Sequence, residues 1–202
     1  MPVTRAAARA AHAESEGVEA LGLRGSVSHK GDAVWAMRAT DAYTGKPRVE
    51  TAQPQVDHCL EVQLVETALV RAYGASRGRP GSMATAQTCE LLRTAFNGVQ
   101  NLNVTTMPIN QAKRGPFTAA LNRMREDKLR DVTLEQLARQ GRARWLVDNG
   151  TWARIERAVV ASFDDAEAVL RDAPALPPCV EMVELTLDET HAMLERLGVY
   201  SV

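Results

Sequence analysis

Apolar residues recur along this chain with two spacings. Leu64, Val65, Ala68, Leu69 and Ala72 stand at helical intervals and predict a helix following Cys59. Leu91, Leu92, Ala95 and Phe96 predict a second helix over 83–96, ending at Asn97-Gly98. Phe117, Ala120, Leu121 and Met124 predict another over 117–129. Thr133 and Gln136 have capping-box spacing and open a helix that runs to Gln140-Gly141. Helical spacing returns over 145–160 and 162–171, with a break at Asp148-Asn149-Gly150. Residues 173–178 hold three prolines and predict a linker or sharp turn. A last amphipathic helix is predicted over 186–197, opened by Thr186 and Glu189.

The shorter spacing marks strands. Leu102 and Val104 alternate with Asn101 and Asn103, which predicts a strand over 99–105. Trp35 and Met37 alternate within 33–40 and predict a half-buried strand or the start of the core there. Thr44-Gly45 signals a turn. Residues 47–55, with Pro47 and Pro54, predict an edge strand or extended loop that delivers Val56, Asp57 and His58. Met107-Pro108 opens a helix, since proline is tolerated in a first turn. Asn110, Lys113 and Arg114 share its early turns, and Gly115-Pro116 breaks or kinks it. Residues 1–24 are Ala-rich and predict a frayed or docked helix interrupted at Gly17 and Gly22. Residues 74–82 predict a loop carrying Arg77 and Arg79. The expected fold class is α+β and predominantly helical, without internal repeats.

Composition narrows the function classes. The chain has 202 residues, 45% hydrophobic and 24% charged, with a net charge of −1. Those values suit a soluble globular chain and carry no overall basic signature for nucleic acid. No apolar run approaches the roughly 20 residues that span a bilayer, and no secretory core is evident. The expectation is an intracellular chain, cytoplasmic or nuclear by default, with no membrane partner. The charge is uneven: residues 113–144 hold nine basic and four acidic side chains, residues 145–202 four basic and eleven acidic. The basic block begins at the helix that carries Asn110; a solvated helical face is its plain alternative. Cys59, Cys89 and Cys179 are odd in number and far apart, so neither a disulfide framework nor a zinc knuckle is expected.

The candidate chemistry lies between residues 42 and 116. Its landmarks are Tyr43-Thr44-Gly45-Lys46, Asp57-His58, Asn101-Leu102 and Asn110-Gln111-Ala112-Lys113. The order suits phosphodiester cleavage, which needs an activated water, a metal on the phosphate and groups that align them. An imidazole takes a proton near neutral pH. Oxygen donors suit a hard ion. Asp57 and His58 are adjacent and point to opposite sides of an extended strand.

Together these motifs resemble the HNH (ββα-metal) endonucleases, in the Asp-His/Asn/Asn form. The resemblance implies a short antiparallel hairpin plus helix over residues 31–130. Residues 59–98 are a helical insertion, 1–30 an N-terminal segment and 131–202 a helical C-terminal part. It implies His58 as general base, Asp57 and Asn110 as ligands of one Mg2+ (or Mn2+), and Asn101 as the residue that pins the loop between the strands. Lys113 and Arg114, with Arg77 and Arg79, are the expected phosphate contacts. Glu61 is a further candidate near the metal, or a helix-start charge. The implied substrate is nucleic acid, DNA first. The alternative is a non-catalytic nucleic-acid- or protein-binding module on the same scaffold. A helical regulator whose acidic C-terminal part covers the basic face would combine with either.

Overall fold

The computed structural model describes residues 22–47, 53–75, 82–125, 132–175 and 177–200. The Ala-rich stretch before residue 22 and the segment with Arg77 and Arg79 lie outside the described residues. A 3-10 turn, Ser28–Lys30, leads into helix α1 (Gly31–Met37). Strand β1 (Pro54–His58) is followed by α2 (Val62–Ala75) and α3 (Ser82–Phe96). A second 3-10 turn, Val99–Asn101, precedes strand β2 (Leu102–Thr106), which runs directly into α4 (Met107–Arg125). Helices α5 (Leu134–Gln140), α6 (Arg144–Asp148), α7 (Thr151–Arg171) and α8 (Pro177–Arg196) complete the order. The class is α+β and predominantly helical, with one two-stranded antiparallel sheet among the described residues.

Helix α2 lies at the centre of the core. Leu64, Val65, Ala68, Leu69 and Ala72, the set with helical spacing, are all buried. The helix packs most heavily against α8, which contributes Met182, Val183, Leu187 and Leu194 to the same cluster. Full burial of each such side chain is worth about 1.5–3 kcal/mol, so this pair anchors the helical body.

Several local signals act as the sequence predicts. Thr133 accepts from Gln136 N at 3.1 Å, and the Gln136 side chain accepts from Thr133 N at 3.0 Å. Gly150 adopts φ +75 and separates α6 from α7. Three expectations need correction. Residues 31–37 form a helix, not a strand: Val34 is the buried residue, packed on Val27, Leu102 and Val104, while Met37 is 46% exposed. The Trp35/Met37 alternation therefore does not mark a buried face. Helix α4 continues through Pro116; burial of Ile109, Phe117, Ala120 and Met124 along its length outweighs the one backbone hydrogen bond proline forfeits. Helix α8 starts at Pro177, so Thr186 is no cap: its hydroxyl donates to Met182 O at 2.7 Å inside the helix.

Strands β1 and β2 pair in the register Gln55↔Thr105, Val56↔Val104, Asp57↔Asn103 and His58↔Leu102. Side chains alternate along a strand, so the sheet has two unlike faces. Val56, Leu102 and Val104 share the apolar face with His58 and meet Val27 and Val34. Gln55, Asp57, Asn103 and Thr105 share the other face, which is polar yet covered by α4 and the loop around Tyr43. Asp57, Asn103 and Thr105 are all buried there.

Candidate functional site

The polar face of the sheet is satisfied by side chains that reach it from distant parts of the chain. Asp41 is fully buried. It accepts from Tyr43 N (2.9 Å), Thr44 Oγ1 (2.8 Å), Asn103 Nδ2 (2.7 Å) and Thr105 Oγ1 (3.0 Å). Asn103 Oδ1 in turn accepts from Ala42 N at 2.9 Å. An aspartate bonding the amide two residues on is a known way to close a turn. Gly45 completes that turn at φ +73, where a Cβ would also meet the Arg154 guanidinium at 2.9 Å. The result fixes the Tyr43 ring, wholly buried, so that its hydroxyl donates to Asp57 Oδ2 at 3.1 Å.

Lys113 comes to the same carboxylate from α4. Its Nζ lies 2.7 Å from Asp57 Oδ2 and 3.3 Å from Glu61 Oε1, and also donates to the carbonyl of His58. The rings of Tyr43 and Phe117 flank the ammonium, with centroids 5.7 and 5.4 Å away. The side chain is completely buried. Burial by itself pushes the Lys113 ammonium down, and Asp57 and Glu61 more than reverse this, so it lies above its ordinary value. Burial pushes the Asp57 carboxyl up, against the pull of Lys113 and Tyr43. With the three groups ionised, two carboxylates face one ammonium and the cluster keeps one negative charge. Lys113 thus makes an internal ion pair instead of the solvent-facing phosphate contact expected for it. Glu61 shares that ion pair at the start of α2.

His58 is 2% exposed. Its Nε2 is 3.1 Å from Asn97 Oδ1. Burial holds the imidazole below its ordinary value, with the Asn97 bond and the carboxylates Glu61 and Asp57 opposing. Burial thus favours the neutral ring, the state in which it can accept a proton. Asn101 is fully buried and joins three segments: Oδ1 accepts from Leu60 N at 2.8 Å, and Nδ2 donates to Leu60 O (3.0 Å) and Phe96 O (2.8 Å). Those bonds tie the chain leaving β1 to the end of α3. Asn110 donates from Nδ2 to Gln55 Oε1 at 3.0 Å.

Asp57, His58 and Asn110 line one cleft of about 280 Å3 together with Arg114, Arg24 and Ser28, whereas Asn101 and Lys113 are not among its walls. A second cleft, about 190 Å3, shares Arg24 and Arg114 and continues past Gln63 and Thr118 to Asn122. Both arginines are exposed. With its amide turned to satisfy both neighbours, Gln63 accepts from Arg24 Nη1 at 2.6 Å and donates to Glu61 at 3.2 Å.

Sequence reasoning overlooked four contributors: Asp41, Tyr43, Asn97 and Arg24. Asp41 had a local signal, an aspartate two residues before a Tyr-Thr-Gly turn. Tyr43 stands in the Tyr-Thr-Gly-Lys turn, which by itself assigns its hydroxyl no role. Asn97 and Arg24 had no local signal, because their partners are remote in sequence.

Among the described residues no group of three or more His, Cys, Asp and Glu side chains is arranged to hold a metal ion. A sparser oxygen site is still chemically reasonable, since Mg2+ retains several waters and binds through one or two carboxylates. Asp57 uses Oδ2 for Lys113 and Tyr43, while its Oδ1 accepts no hydrogen bond from the described residues. The Asn110 amide uses its nitrogen, leaving Oδ1 likewise without a donor among them. Both oxygens are hard donors of the class that a hydrated divalent ion takes. Among the described residues no helix is long and apolar enough to cross a membrane. No protein-family model, curated protein or solved structure matches this chain.

Proposed function

We propose that this chain is a metal-dependent endonuclease of the HNH (ββα-metal) type, hydrolysing phosphodiester bonds in nucleic acid, DNA first. The observation that supports this most is the shared cleft. Asp57, His58 and Asn110, separated by up to 53 residues of sequence, line one cavity together with two exposed arginines. The order β1, β2, α4 is that of a strand–strand–helix unit, with α2 and α3 as the insertion.

In this reading the neutral His58 accepts a proton from water, the water oxygen attacks phosphorus, and the bond to the 3′ oxygen breaks as that oxygen takes a proton from a solvent water. The products are 5′-phosphate and 3′-hydroxyl ends. Asp57 and Asn110 would hold one Mg2+ or Mn2+ through their Oδ1 atoms. Bound there, the ion supplies charge stabilisation at the scissile phosphate. Arg114 and Arg24 hold the flanking phosphates, where a guanidinium matches two oxygens at once. Asn101 keeps the ends of β1 and α3 together, and so keeps the cleft in shape. Lys113 restrains the Asp57 carboxylate from the protein side.

One observation favours a second reading, a nucleic-acid-binding module without hydrolysis: the Asp57 carboxylate is already ion-paired with a buried ammonium. Supercoiled plasmid incubated with the protein in Mg2+, Mn2+ or EDTA separates the two. Metal-dependent nicking supports the endonuclease. A gel shift that persists in EDTA, without nicking in either metal, supports the binding module.

A further inference from the structure

The Asn97 side chain joins two parts of the cleft that are far apart in sequence. Its Oδ1 accepts from Gly25 N at 2.8 Å and faces His58 Nε2 at 3.1 Å. Its Nδ2 donates to Leu23 O at 2.7 Å and to Arg93 O at 2.8 Å. These backbone partners settle which end of the amide is which. Turned over, the NH2 group would face the Gly25 N–H and the oxygen would face two carbonyls, leaving three contacts repulsive. Because the atom facing His58 is an acceptor, the imidazole must donate to it.

We infer that Asn97 is a positioning residue that holds His58 as its Nε2–H tautomer, leaves the Nδ1 lone pair as the basic atom, and seats the Leu23–Gly25 segment that carries Arg24. The same amide oxygen receives both the imidazole and the backbone next to Arg24. The base and a phosphate-binding arginine are therefore registered against each other by one side chain. Gly25 fits this role: a Cβ at that position would come within 3.2 Å of Asn97 Oδ1. Lys30 adds a bond from Nζ to Asn97 O at 2.6 Å, so the residue is held at backbone and side chain alike. The role assigned to the lone pair rests on the endonuclease reading; the tautomer and the seating of Arg24 do not.

The test begins with the unmodified chain. Long-range 15N–1H correlation spectra of the four histidines, assigned with His58→Gln, report which ring nitrogen carries the proton above pH 7. The expected spectrum shows His58 with a protonated Nε2 and an unprotonated Nδ1; a protonated Nδ1 overturns the inference, whether or not the protein cleaves anything. Asn97→Ala should give a mixture of tautomers, and Asn97→Asp, which keeps an acceptor for the ring, should restore the Nε2–H form. In a plasmid assay Asn97→Ala should also lower nicking at least about tenfold at saturating metal, less than the roughly 10²–10⁴-fold that loss of the base itself would cost. A wild-type protein that shows the Nε2–H form but nicks nothing leaves the tautomer standing and removes the endonuclease reading. Full tautomer retention in folded Asn97→Ala would refute Asn97 as the residue that sets it.

Discussion

Lys113 Nζ lies 2.7 Å from Asp57 Oδ2, and neither side chain is more than 6% exposed. Such a pair contributes little beyond what apolar residues of the same shape would, but removing one partner strands a buried charge. Here the ammonium also serves Glu61 and a backbone carbonyl. Lys113→Met should therefore cost about 3–5 kcal/mol of folding stability, read from urea unfolding midpoints. A loss below 1 kcal/mol would show that the ammonium does not sit in this cluster.

Asp41 is the second polar anchor. Four donors converge on its carboxylate, and Asn103 and Thr105 are buried with it. Each buried donor left unpaired costs about 1–3 kcal/mol. Asp41→Ala should destabilise by at least about 2 kcal/mol and release the Tyr43 ring from Asp57. Thermal unfolding checks the first, and the Tyr43 ring resonances check the second. Asp41→Asn, which keeps one acceptor oxygen, should lose less.

The tyrosine turn, the Asp-His strand end and the Asn-x-x-Lys helix are all visible in sequence as short motifs, and so is the capped helix at Thr133. Their distances to one another are not. Lys113 looks like a phosphate contact when only its helix is considered, because a lysine two turns into a basic helix usually faces water. It turns inward because Asp57 and Glu61 lie beneath it, on an element 52 or more residues away. Likewise, nothing local to Asn97-Gly98 distinguishes a helix end from a clamp on His58. The misassigned strand at Trp35 has the same origin: period-two spacing over a few residues cannot tell which side the core lies on.

The imidazole sets the pH dependence. Burial holds His58 below its ordinary value of about 6.5. As pH falls below 6.5 the unfolded chain takes up the proton first, so His58 lowers stability on acidification until the folded-state value is passed. Cleavage that requires the neutral ring should be flat from pH 7 to 8 and have its acid limb below 6.5. A pH–rate profile of nicking checks this; an acid limb centred above 6.5 would contradict it.

Arg24 and Arg114 line both clefts and are exposed. Arg114→Ala should change folding stability by no more than about 0.5 kcal/mol. It should weaken DNA binding and reduce the slope of log K against log salt by about 0.9 if one phosphate contact is lost. Fluorescence anisotropy over a salt series measures both. Arg24→Ala should act in the same direction. An unchanged slope in both variants would place the nucleic acid elsewhere.

The most direct measurement is nicking of supercoiled plasmid in Mg2+ by the wild-type chain beside His58→Ala, with circular dichroism confirming that both are folded. A positioned general base contributes about 10²–10⁴-fold, so the variant should nick at least about 100-fold more slowly while still binding the plasmid. Equal rates in the two proteins, or no metal-dependent nicking by the wild type, would contradict a hydrolytic centre at Asp57, His58 and Asn110.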